Sequence, residues 1–168
     1  MPKVKNMVTW CLNKAKKELE KGQKHRGLIE VEPDNKLAME HIGKAEHNLN
    51  FFMLAKEHGF YDWNITIGFY VMYHCCLAVI SKFGYQSRNQ ECTLALVESM
   101  IDDEKIDENF KKYIESMKSN TKEEEEKIMP MREKYQYTTI VDIDVQKVDE
   151  LLGLCQDMIK DTKGIIQG

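Results

Sequence analysis

The stretch from residue 61 to residue 83 constrains this chain more than any other. Trp63, Ile65, Phe69, Met72, Cys76, Val79 and Phe83 spread apolar groups around most of a helical circumference, whereas a surface helix gathers them on one stripe. Such a helix is stable in water only when other elements cover it, so it belongs in the middle of a fold. Residues 65–81 also invite comparison with a membrane span. They hold Gly68, His74 and hydroxylated residues, however, and the run is shorter than the ~20 apolar residues a bilayer needs. A buried central helix is expected, capped at its start by Asp62 and ended by Gly84.

The flanking segments carry the patterns needed to cover it. Val4, Val8, Cys11, Ala15 and Leu19 fall three or four apart and predict a first helix ending near Gly22. Residues 23–32 read as a connector with a short extended run, Leu28-Ile29-Glu30-Val31. Pro33-Asp34 then marks a helix start, with Asp34 as cap, a stripe of Ala38, Ile42, Ala45, Leu49 and Phe52, and a stop at His58-Gly59. Leu94, Val97 and Ile101 predict a shorter helix that gives way to an acidic turn over residues 102–107. Phe110, Tyr113, Ile114 and Met117 begin another, which Thr121 and Glu124 restart through a capping-box pattern. The acidic run at residues 123–126 reads as a solvated face, and Pro130 as a kink or break. Asp144 caps a last helix striped by Val145, Val148, Leu152, Cys155 and Ile159. No strand-rich segment competes. The expectation is an all-α, up-and-down helical bundle of about five to six helices in one domain over residues 1–168, with 1–33 as N-terminal helix and connector and 34–168 as the bundle core.

Charge and cysteine usage bound the function. The 28 acidic residues are interleaved with 24 Lys and Arg, so a formal charge of -4 describes a mosaic surface whose summed field disfavours general nucleic-acid binding. The five cysteines are odd in number, scattered, and mostly inside apolar helical patterns, which points to free thiols in a reducing cytoplasm. The N-terminal segment is broken by Asn13, Lys14 and Lys16 and lacks the continuous apolar run of a secretory signal, so a soluble intracellular protein is expected.

Few constellations can carry chemistry. A di-iron bundle needs Glu-x-x-His pairs, and Glu40, Glu46 and Glu57 have no histidine three residues on. His41 and His47, six apart, lie on different helix faces and read as surface or half-buried residues. His74-Cys75-Cys76 diverge by about 100° per residue and do not converge on one metal, so the thiols read as buried and structural. Neither metal nor cofactor is expected. No glycine-rich phosphate loop or serine nucleophile elbow is present. What remains is aromatic and basic. Tyr70 and His74 are four apart and share a helix face. Arginine is scarce, with Arg26, Arg88 and Arg132 among 24 basic residues, and its planar fork suits phosphate or carboxylate. Arg132, followed by Tyr135 and Tyr137, combines a bidentate donor with rings able to stack on a base.

These residues resemble the HEPN family, the nucleotide-binding helical domain of higher eukaryotes and prokaryotes. Gly68-Phe69-Tyr70-Val71-Met72-Tyr73-His74-Cys75-Cys76-Leu77-Ala78 is similar to that family's central-helix pattern, and Lys44-Ala45-Glu46 and Tyr61-Asp62-Trp63 are similar to segments at its two long helices. Arg132-Glu133-Lys134-Tyr135-Gln136-Tyr137 resembles its Arg-x-x-x-Asp-Tyr segment, with Gln136 replacing the acid. The resemblance covers residues 34–165. It implies a bundle that commonly forms a homodimer and works beside a minimal nucleotidyltransferase in a toxin–antitoxin-like system. Catalytic members are metal-independent ribonucleases that pair Arg with a His four to six residues later, Arg neutralising phosphate while His moves protons. Here no histidine follows residue 74, so neither Arg88 nor Arg132 supplies that pair, and Arg26 has none in range. The resemblance therefore implies a non-catalytic or degenerate module, in which Tyr70, His74, Arg88, Asn89, Arg132 and Tyr137 line a groove for a nucleotide, RNA end or partner protein. Arg132 would hold phosphate, Tyr137 would stack, and Tyr70 with His74 would orient the ligand. The alternatives are a divergent ribonuclease using His74 with Arg88 or Arg132, and a structural dimeric adaptor. No membrane partner is expected.

Overall fold

In α3 (Tyr61–Lys82), 14 of 22 residues are buried, and they lie on every side of the helix. The structure, a computed structural model, describes residues 2–118 and 128–168. Around α3 stand α1 (Pro2–Glu20), α2 (Asn35–Glu57), α4 (Gln90–Asp102), α5 (Lys111–Met117), α6 (Ile128–Gln136) and α7 (Val145–Gln167). α2 and α3 form a long antiparallel hairpin, α7 packs across both, and α4 and α6 cover other sides of α3. The molecule is the expected all-α bundle, with seven α-helices among the described residues because α5 and α6 stand as separate elements. The Thr121–Glu124 capping pattern and the acidic run at 123–126 lie outside the described residues.

Local chemistry explains most boundaries. Asp34 Oδ1 accepts the Leu37 N–H at 2.8 Å and Asp144 Oδ1 accepts the Gln146 N–H at 2.9 Å, so both carboxylates cap their helices as their sequence positions predict. Asp62 does not. α3 begins at Tyr61 with Phe60 at its cap position and no side-chain cap bond, and Asp62 lies within the first turn. Pro130 also differs from expectation. It lies inside α6, whose described residues run from Ile128 through it to Gln136. α3 ends at Gly84, whose φ of +80° and backbone, with the Val31 carbonyl only 2.6 Å from where a Cβ would stand, exclude a side chain.

The core gathers Phe52, Phe69, Met72, Ile80, Phe110, Tyr113 and Met158, each fully buried and each contributing roughly 1.5–3 kcal/mol. Gly68 lets α3 and α7 approach closely, because Leu151 Cδ2 lies 2.7 Å from where its Cβ would stand. The extended run at Leu28 is extended as read, but two long-range pairings escape the sequence pattern. The run at Leu28 becomes a strand, β1 (Leu28–Glu30), paired antiparallel with β2 (Tyr85–Ser87). Of the five cysteines, Cys11 and Cys92 form a disulfide joining α1 to the start of α4, while Cys75, Cys76 and Cys155 are free and buried. The partners are 81 residues apart, and only the packing of α1 on α4 brings them together.

Candidate ligand-binding site

Arg132 occupies the second turn of α6, the helix that packs on α3. Its guanidinium carbon lies 4.4 Å from the centre of the Phe69 ring and 5.9 Å from that of Tyr70. The two rings meet edge to face at 5.6 Å, and Tyr73 stacks on Phe69 at 6.1 Å. Phe69 is fully buried, whereas Tyr70 is 38% exposed, so the cluster runs from the core to the surface. Among the described residues no carboxylate pairs with Arg132, and its Nε is buried without a hydrogen-bond partner. Aromatic faces hold the cation, an attraction worth about 0.5–2 kcal/mol.

His74 faces α2. Its Nδ1 lies 3.1 Å from His41 Nδ1, with ring centres 5.3 Å apart, so one ring donates and the other accepts. Burial pushes His74 down to about 4, with the charges of His41 and Lys44 acting in the same direction. Burial lowers His41 as well, against the opposing pull of Glu40. Burial thus disfavours the charged form of both rings, which weakens them as phosphate cations.

The remaining predicted residues sit elsewhere. Asn89 is the N-cap of α4, its Oδ1 accepting the Cys92 N–H at 2.9 Å. Its carbonyl accepts from Thr93 Oγ1 at 2.9 Å, and Thr93 also bonds Ser87 Oγ at 2.7 Å and meets the Tyr73 hydroxyl at 3.2 Å. Arg88 donates its backbone N–H to the Gly27 carbonyl at 3.1 Å and lines a different cleft with Lys24, His25 and Arg26. Tyr137 follows the last residue of α6 and is 74% exposed. The structure thus unites Arg132 with Tyr70, gives His74 a different partner, and sets Arg88 and Asn89 in the β2–α4 connection.

Sequence reasoning missed Phe69 as the surface that carries Arg132, because its place in an apolar stripe reads as core alone. It read His41 as a surface or half-buried residue, which it is, but missed its contact with His74. Burial raises Cys75 to about 12 and Cys76 well above the ordinary thiol value, in keeping with inert structural cysteines. The described residues contain no cluster of three metal-ligating side chains. Comparisons with protein families, with curated proteins and with solved structures return no match.

Proposed function

We propose that this chain is a HEPN-like, non-catalytic module that binds a nucleotide or RNA end on the Arg132–Tyr70 face. The observation that carries this reading is a guanidinium stacked on Phe69 and Tyr70 with no carboxylate partner among the described residues. Arg132 supplies a planar donor for a phosphate, and the exposed Tyr70 ring offers a stacking surface for a base. Tyr137, close by in sequence and exposed, adds a second ring. The His41–His74 pair faces α2, and the orienting role expected of His74 passes to Tyr70. A divergent ribonuclease needs His74 and an arginine on one phosphate. His74 is engaged by His41, and Arg132 by the two aromatic rings, so the geometry weighs for binding over cleavage.

In this reading the protein is a homodimer in the cytoplasm, beside a minimal nucleotidyltransferase. The Cys11–Cys92 bond weighs against that compartment, because glutathione keeps most cytosolic thiols reduced. One observation favours the adaptor as second reading: Phe51, Leu54, Phe60 and Trp63 are each half exposed or more around the α2–α3 turn, a patch suited to a partner. Calorimetric titration separates the two. Nucleotides and short RNAs should bind the wild type, and Arg132→Ala should weaken them about tenfold or more. Unchanged binding of every ligand by Arg132→Ala would remove the Arg132 site, and a dimer split by Trp63→Lys alone would favour the adaptor.

A further inference from the structure

Two of the three arginines in this lysine-rich chain come together far apart in sequence, away from the Arg132 face. Arg26 lies in the α1–β1 connector and Arg88 just after β2, and they line one cleft of about 720 Å³ with Glu18, Gln23, Lys24 and His25. The pairing of β1 with β2 sets their separation, because the Arg88 N–H bonds the carbonyl of Gly27, the residue beside Arg26. The backbone there is tightly seated. A Cβ on Gly27 would stand 2.3 Å from the Cys11 carbonyl oxygen, and Cys11 is bonded to Cys92 at the start of α4. The connector, α1 and α4 therefore form one braced frame around the cleft.

The side chains in this frame lack partners. Glu18 is the cleft's one carboxylate, and it accepts the Arg26 backbone N–H at 2.5 Å. Among the described residues, no ion pair engages Lys24 or either guanidinium. His25 is only 5% exposed, and among the described residues its buried Nδ1 has no hydrogen-bond partner. Three cations and one carboxylate leave two net positive charges in a chain whose overall charge is -4. A local field of the opposite sign to the whole molecule and two planar forks on one cleft together describe a receptor for a small, doubly charged oxyanion.

We propose that this cleft binds a terminal phosphate monoester, with Arg26 and Arg88 as forked donors, Lys24 as a point charge and His25 as the buried hydrogen-bonding wall. A phosphate monoester carries about −1.5 to −2 charges at pH 7 and matches the cleft's excess. The monoester belongs either to a free small molecule or to the 5′ end of an RNA, and the chemistry of recognition is the same. This site stands apart from the Arg132 face, and each can fail without the other.

The test is an amide NMR titration of the full chain at constant ionic strength with inorganic phosphate, AMP, and one short RNA bearing either a 5′-phosphate or a 5′-hydroxyl. Saturable shifts are expected at the Arg26, Gly27 and Arg88 amides. Arg26→Gln and Arg88→Gln should each weaken the responding probe about tenfold or more, and Arg88→Lys should fall between wild type and Arg88→Gln. Both positions are exposed, and the variants' own amide spectra verify their fold. A response to phosphate and AMP identifies a small-molecule source. A response only to the 5′-phosphorylated RNA identifies an RNA end. The proposal is overturned if none of the probes shifts those amides, if the 5′-hydroxyl RNA binds as well as the phosphorylated one and phosphate does not, or if both glutamine variants bind like the wild type.

Discussion

Acidification should destabilise this fold through one pair of rings. His74 is held near 4 in the folded protein, against about 6.5 in an unfolded chain. Because its folded value lies below its unfolded one, the unfolded chain binds more protons between those limits. The stability tied to His74 is therefore complete above about pH 6.5 and drains away as the pH falls toward about 4. Linkage alone would give a loss of about 3.4 kcal/mol for a shift of this size, but the ring is only half buried, and water screening brings it to about 1–2 kcal/mol. The chief structural cause is burial, and the contact adds to it: the two Nδ1 atoms are 3.1 Å apart, so a doubly protonated pair points two N–H groups at each other. Lys44 adds to the repulsion and Glu40 partly offsets it on the His41 side. Urea denaturation of the wild type and of His41→Asn/His74→Asn at a series of pH values measures the effect, and histidine NMR follows the rings. The wild type should lose about 1–2 kcal/mol more than the double variant between pH 7 and about 4.5. Parallel stability curves, with His74 titrating near its ordinary value, would refute the reasoning.

Three further outcomes follow from packing and capping. Reducing the Cys11–Cys92 bond, or replacing both residues by Ser, should lower stability by about 2–4 kcal/mol, since the bond closes an 81-residue separation; thermal denaturation with and without reductant reads it, and an unchanged midpoint contradicts it. Gly68→Ala should cost about 1–3 kcal/mol in urea denaturation, because the new methyl meets Leu151 Cδ2 at 2.7 Å, and Leu151→Ala in the same chain should recover part of that loss. Asn89→Ala should destabilise by about 0.5–2 kcal/mol, through the lost acceptor for the Cys92 N–H, while Asn89→Asp should stay near wild type.

The bundle was legible because its strongest signals are local. The all-round apolarity of residues 61–83 marks α3, and the Asp34 and Asp144 caps act within their own first turns. Asp62 misled because a cap's effect depends on its position within a turn, and a shift of one or two residues changes the role. Contacts across long separations left no periodic trace. Nothing in the spacing of Cys11 and Cys92, of Leu28 and Ser87, or of His41 and His74 announces that they meet. The site was half legible. Residue chemistry singled out Arg132 and Tyr70, which do come together, but it grouped Arg88 with them, and the β1–β2 pairing sends Arg88 to Arg26 instead.

The account rests on Arg132 and Tyr70 forming a face on which a base and its phosphate settle together. Photocrosslinking of short RNAs carrying 4-thiouridine at the terminal position, followed by peptide mapping, tests that most directly. Crosslinks on the peptides holding Tyr70 and Tyr137, lost in Arg132→Ala, are the predicted result. Crosslinks confined to other helices, or the same pattern in wild type and Arg132→Ala, would contradict it.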